Sequence, residues 1–103
     1  MKILTVVPKY VPDSRVGAWI ATHELLCFAA AGHDVEVVRY YGTGRTYGVD
    51  GVTVSWGAGR IERQVRDADV VVSHVGDNGR AHRAATEAGV PSVRMAHGHG
   101  VTL

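Results

Sequence analysis

A single cysteine, Cys27, leaves no possibility of an intrachain disulfide, and a reducing, cytoplasmic location is the simplest expectation. Long apolar runs are also missing: nothing approaches the ~20 residues that a membrane helix requires. The opening stretch from Met1 to Val7 carries one charge and meets Pro8 too soon to serve as the apolar part of a signal peptide. Neither sign of charge dominates. Eleven basic residues against ten acidic ones leave a formal charge of +1, which gives no footprint for nucleic acid or an anionic membrane. The dinucleotide fingerprint G-x-G-x-x-G and the Walker pattern G-x-x-x-x-G-K-[ST] are both absent, which sets aside a free-standing NAD or ATP domain. No catalytic serine or cysteine motif is present.

What the 103 residues do contain is one domain's worth of globular sequence, 46% hydrophobic and 20% charged. Lys2 to Val7 is a near-continuous apolar run that fits a strand buried on both faces. Two prolines between Pro8 and Val16 mark a loop that Gly17 closes. Ala18 to Ala31 is rich in alanine and leucine, so a largely covered helix is expected there, with Gly32 as its left-handed cap. Asp34 to Tyr40 resumes a strand, and residues 2 to 40 form a β-α-β unit with parallel pairing. Six glycines between Tyr41 and Gly59 surround one strand-like island, Val52 to Trp56, which leaves one strand or two open for that segment. Ile61, Val65 and Ala68 make the apolar side of a short amphipathic helix. Val70 to Ser73 is a fourth strand, and Asp77 or Asn78 is expected to cap a helix lined by Ala81, Ala84, Ala85 and Ala88. Gly89 ends that helix before a fifth strand, Ser92 to Ala96. The pattern implies an α/β fold: a doubly wound, Rossmann-like open parallel sheet of order 3-2-1-4-5 in a single three-layer domain.

In such a sheet the ligand crevice lies at the carboxyl ends of the strands where the order reverses, between strands one and four. The loop after strand one brings Lys9, Tyr10, Asp13, Ser14, Arg15 and Gly17 to that edge. The loop after strand four brings His74, Asp77 and Asn78, and the tail after strand five brings His97 and His99. Gly17 opens a helix whose unpaired N–H groups suit an anion such as a phosphate; equally, it relieves a tight strand-to-helix turn. His97-Gly98-His99-Gly100 admits three readings: a catalytic or substrate-binding histidine, a metal ligand completed by His74 or Asp77, or a glycine-rich turn. His23, His33 and His82 sit in or beside helices away from the crevice and read as structural or solvated. Cys27, mid-helix with no basic neighbour in register, reads as a packed thiol.

Several segments are similar to retaining GT-B glycosyltransferases of the family 4 type. They are Met1-Lys-Ile-Leu-Thr-Val-Val-Pro, Arg15-Val-Gly-Ala-Trp19, the Ala-Thr-His-Glu-Leu-Leu helix and Ala31-Gly-His-Asp-Val-Glu-Val-Val. Ala68-Asp-Val-Val-Val-Ser-His74 and Ala88-Gly-Val-Pro-Ser-Val-Arg-Met-Ala-His-Gly98 resemble that family's fourth and fifth strands. The resemblance covers nearly the whole chain. It implies that residues 1–103 are the N-terminal, acceptor-side domain of an enzyme that moves a sugar from a nucleotide-sugar to an acceptor hydroxyl. It also implies that the C-terminal donor-binding domain lies elsewhere, so that this truncated domain is inactive alone. The histidine near the transferred sugar maps onto His97, and the loop near the donor diphosphate maps onto Gly17, beside Arg15. Many relatives carry Gly-Gly there, where this chain has Gly17-Ala18. Lys9, Asp13, His74 and Asp77 are the expected substrate-binding set, and no metal or other cofactor is expected. A second chain carrying the missing domain, or a homodimer, is the expected protein partner. The alternatives are a non-enzymatic binding or assembly module that keeps the fold, and a small flavodoxin-like domain. The latter is disfavoured because the first loop lacks a phosphate-binding run of Ser, Thr and Gly.

Overall fold

A computed structural model describes residues 1–12, 17–40, 44–57, 60–74 and 79–95. The order of elements is β1 (Lys2–Val7), α1 (Gly17–Ala30), β2 (Asp34–Arg39), β3 (Tyr47–Val49), β4 (Val52–Trp56), α2 (Ile61–Arg66), β5 (Val70–His74), α3 (Arg80–Ala88) and β6 (Ser92–Met95). Alternation of β-branched strands with alanine-rich helices produces an α/β domain around one six-stranded, mostly parallel sheet. Its order is β3-β4-β2-β1-β5-β6.

That order differs from the five-stranded one expected. Tyr47–Val49 adds an edge strand that pairs antiparallel with β4, Val49 facing Val52, while the other neighbours pair in parallel. The cause is a two-residue turn, Asp50-Gly51, with φ of 50° and 84°. Positive φ at both central residues matches a type I′ hairpin, whose twist agrees with that of the flanking strands. Asp-Gly is among the few dipeptides that adopt it at low cost.

Alternate residues of the strands feed two cores. Leu4, Val6, Val38 and Val71 meet Ile61 and Val65 of α2 and Ala81, Ala84 and Ala85 of α3. On the other face Val7, Val35, Val37, Val52 and Val54 meet Tyr10 and Trp19, with Leu26, Ala29 and Ala30 of α1 packed against them. Alanines at three inward positions let α3 lie close to the sheet; the fourth, Ala88, is exposed.

Two local expectations are corrected. Helix α1 is not largely covered, because Ile20, Leu25 and Phe28 are exposed, Phe28 by 81%. One helix cannot cover a face of six strands, and its outer side has no described neighbour. Gly32 is not in the left-handed region, unlike Gly89, which ends α3 at φ 72°; α1 instead closes through Gly32 and His33 N–H groups donating to the Ala29 carbonyl. Helix α3 follows Gly79, whose φ is 77°; Asp77 and Asn78, the expected caps, lie outside the described residues. No described helix is long and apolar enough to cross a membrane.

Candidate functional site

Strands β2 and β5 flank β1, and the chain leaves β1 for one side of the sheet and reaches β5 on the other. The carboxyl ends of β1 and β5 are therefore neighbours, with Val6 opposite Ser73. Gly17 opens α1 beside this edge, and His74 ends β5 there. Trp19, in the first turn of α1, meets the His74 ring edge-on at 5.7 Å between centroids. Lys9 follows β1 and is exposed. Three of the expected site residues, Lys9, Gly17 and His74, thus fall on the loops or ends the topology assigns them. Asp13, Arg15, Asp77 and His97 lie outside the described residues, as do Ser14 and His99.

Two details give this edge chemical content. Among the described residues, an added Cβ at Gly17 would meet nothing within 4 Å, and the Gly17 φ is not positive. His74 is only 2% exposed and lines a cavity of about 270 Å³ with Thr5, Thr22, Leu25, Val72 and Met95. The Thr5 hydroxyl is buried without a hydrogen-bond partner among the described residues. A buried hydroxyl in that state stands ready to bond whatever polar group enters.

A second constellation lies between α1 and the β3–β4 hairpin, and the sequence reading passed over it. His23 and Cys27 are four residues apart on α1, one turn above each other. The hairpin turn presents Asp50, whose Oδ2 is 2.9 Å from His23 Nε2, and Cys27 Sγ is 3.4 Å from the same nitrogen. On the other side of the ring, Nδ1 shares a 2.6 Å hydrogen bond with the hydroxyl of fully buried Tyr10. Burial raises the Tyr10 phenol far above its usual value, with Cys27, Tyr47 and Asp50 adding to the shift, so it stays neutral. Partial burial and then the negative charges of Asp50 and Glu24 also raise the Cys27 thiol. His23 is thus held structurally between Tyr10 and Asp50, one of its two expected readings. Cys27 does have a basic neighbour in register, which corrects the expectation that it has none. A cavity of about 310 Å³ opens beside the group, lined by Val11, Pro12, Ile20, His23, Glu24, Val49 and Asp50.

The signal for this cluster was split. The i, i+4 spacing of His23 and Cys27 was visible in one helix, and Asp50-Gly51 was visible as a hairpin turn, but nothing local joins them. Two other sets of polar contacts among the described residues tie elements together. Arg80 holds Glu62 through two hydrogen bonds that link α3 to α2, and Gln64 bridges Glu36 and Ser55. Comparison with known proteins finds no matching family model, no matching curated protein and no matching solved structure.

Proposed function

We propose that this chain is a Rossmann-like GT-B domain that supplies the acceptor-side wall of a retaining, family 4-like glycosyltransferase. The carrying observation is the meeting of the α1 N-terminus with His74 at the reversal between β1 and β5. A helix N-terminus offers unpaired N–H groups to an anion, and no described side chain lies within 4 Å of where a Gly17 Cβ would sit, which suits the approach of a diphosphate to the backbone. Arg15 then neutralises phosphate charge. Lys9, Asp13, His74 and Asp77 position the sugars, with the Thr5 hydroxyl as a further contact. His97 is the residue nearest the transferred sugar, and stabilisation of the leaving diphosphate is electrostatic, with no metal cofactor in the transfer. A second Rossmann domain closes the cleft and binds the donor, and the reaction belongs to the cytoplasm.

Heteronuclear NMR during titration with UDP-, GDP- and ADP-sugars tests this reading. Shifts clustered at Gly17, Thr5 and His74 for one nucleotide are expected. Unmoved resonances at millimolar concentrations of all three would sink it as a donor-contacting domain. One observation favours a second reading, that of a non-enzymatic assembly module: Leu25, Phe28, Val93 and Met95 are exposed apolar side chains, and Leu25 and Met95 border one cavity. Dimerisation in sedimentation experiments without any nucleotide-sugar response would select it.

A further inference from the structure

We propose that His23, Cys27 and Asp50 form a binding site for a divalent transition metal of the zinc type, with Tyr10 orienting the histidine. This goes beyond the sugar-transfer reading and uses none of the residues assigned to it. One nitrogen, one sulfur and one carboxylate oxygen lie within 4.8 Å of one another. Tetrahedral zinc with ordinary bond lengths would separate its ligand atoms by about 3.4 Å for N and O and about 3.6 Å for N and S. The structure has 2.9 Å and 3.4 Å for those pairs. The third edge, between sulfur and oxygen, is at most 4.8 Å, so side-chain rotation by about an ångström or less per ligand brings all three atoms around one ion.

The donor set decides the class of ion. Thiolate and imidazole favour zinc and its neighbours over magnesium or calcium, which take oxygen ligands almost exclusively. A thiolate and a carboxylate together carry two negative charges, so a divalent ion gives a neutral site.

The fold supplies rigidity on three sides. His23 and Cys27 share one helix. Asp50 sits at a positive φ of 50° in a two-residue turn that has no slack. Tyr10 is fully buried against the far side of the imidazole. For Nε2 to offer its lone pair to a metal, Nδ1 must carry the ring proton and donate it to the Tyr10 oxygen, the outer-sphere arrangement that metal-binding histidines ordinarily have. Binding then releases one proton, from the Cys27 thiol. Asp50 is 70% exposed on its side chain, so a fourth position faces solvent. Three protein ligands and an open position characterise sites whose metal binds water or substrate, in contrast to the closed four-ligand structural sites.

The test is a Co²⁺ titration of the full, untagged chain under a reductant that does not bind metal, followed by displacement with Zn²⁺. Cys27 is the chain's only cysteine, so a thiolate-to-cobalt charge-transfer band in the near ultraviolet reports this site and no other, whatever the remaining histidines do. The expected result is a band that saturates at one equivalent, with one proton released, and that Zn²⁺ abolishes. His23→Gln should reduce the band by at least tenfold at the same Co²⁺ concentration. Asp50→Asn, which suits the same turn and keeps the hairpin, should weaken binding as well. Tyr10→Phe should keep the band but lower affinity by roughly 10–100-fold. Cobalt binding without the band, or a band of undiminished strength in a folded His23→Gln chain, would overturn the proposal.

Discussion

The two faces of the sheet are built to different standards of closure. On one, α2 and α3 press Ile61, Val65, Ala81, Ala84 and Ala85 against Leu4, Val6, Val38 and Val71, and the result is an apolar core tied at its rim by the Arg80–Glu62 pair. On the other, α1 is the only described helix, Phe28 and Leu25 are exposed, and the ring contacts of Tyr10, His23, Trp19 and His74 all lie on this side. The sealed apolar core lies on the first face, and both candidate sites lie on the second. That division follows from packing: polar side chains that must meet a ligand need a face that is not sealed.

The comparison breaks most directly at its strongest point. Ile61→Ala should cost about 2–5 kcal/mol, because a fully buried side chain leaves a cavity that two helices and a sheet cannot collapse; urea unfolding monitored by circular dichroism gives the value. A loss well below 1 kcal/mol would mean that this face is no better sealed than the other. The helix ends sharpen the contrast next. Gly89 sits in the left-handed region, so Gly89→Ala should destabilise by about 1–2 kcal/mol. Gly32 does not, and has open space around it, so Gly32→Ala should be neutral or add up to about 0.4–1 kcal/mol through the unfolded chain.

Smaller effects concern the rim. Both partners of the Arg80–Glu62 pair are partly exposed, so a double-mutant cycle with Glu62→Gln and Arg80→Met should give about 0.2–1 kcal/mol at neutral pH. The hydrogen bond from Arg80 holds the Glu62 carboxyl below its ordinary range. Its contribution is therefore fully present above the unfolded-state pKa, near 4.3 for glutamate, and fades as pH falls through the lower folded value. A coupling energy that persists under strongly acidic conditions would contradict this assignment. The smallest change is expected on the open face: Phe28→Ser should shift stability by no more than about 0.5 kcal/mol. A larger loss, dependent on protein concentration, would show that Phe28 is covered in solution.

How much of this was readable beforehand depends on the range of the signal. The parallel strands were legible because Lys2–Val7, Asp34–Arg39 and Val70–His74 are short β-branched runs between helices, and the amphipathic Ile61–Val65–Ala68 spacing marked α2. Strand β3 was not, since three residues containing a glycine carry no periodicity, although Asp50-Gly51 between valines was a hairpin signal in plain view. The exposure of α1 was misjudged because composition reports that a helix is apolar, not whether another element covers its outer side. At the candidate site, topology placed Gly17 and His74 correctly at one edge. The Tyr10–His23–Asp50 contacts were out of reach: they join residues 13 and 27 positions apart through the closing of the hairpin on the helix.

That hairpin also sets a rule about length. With only Asp50 and Gly51 between Val49 and Val52, the turn cannot absorb an extra residue. An inserted residue would shift β3 by one step and exchange its inward and outward side chains, turning Tyr47 away from the Val11 carbonyl to which its hydroxyl donates. Residues 50 and 51 therefore act as a ruler: this surface loop tolerates changes of residue type such as Asp50→Asn, yet no change in the number of residues it holds.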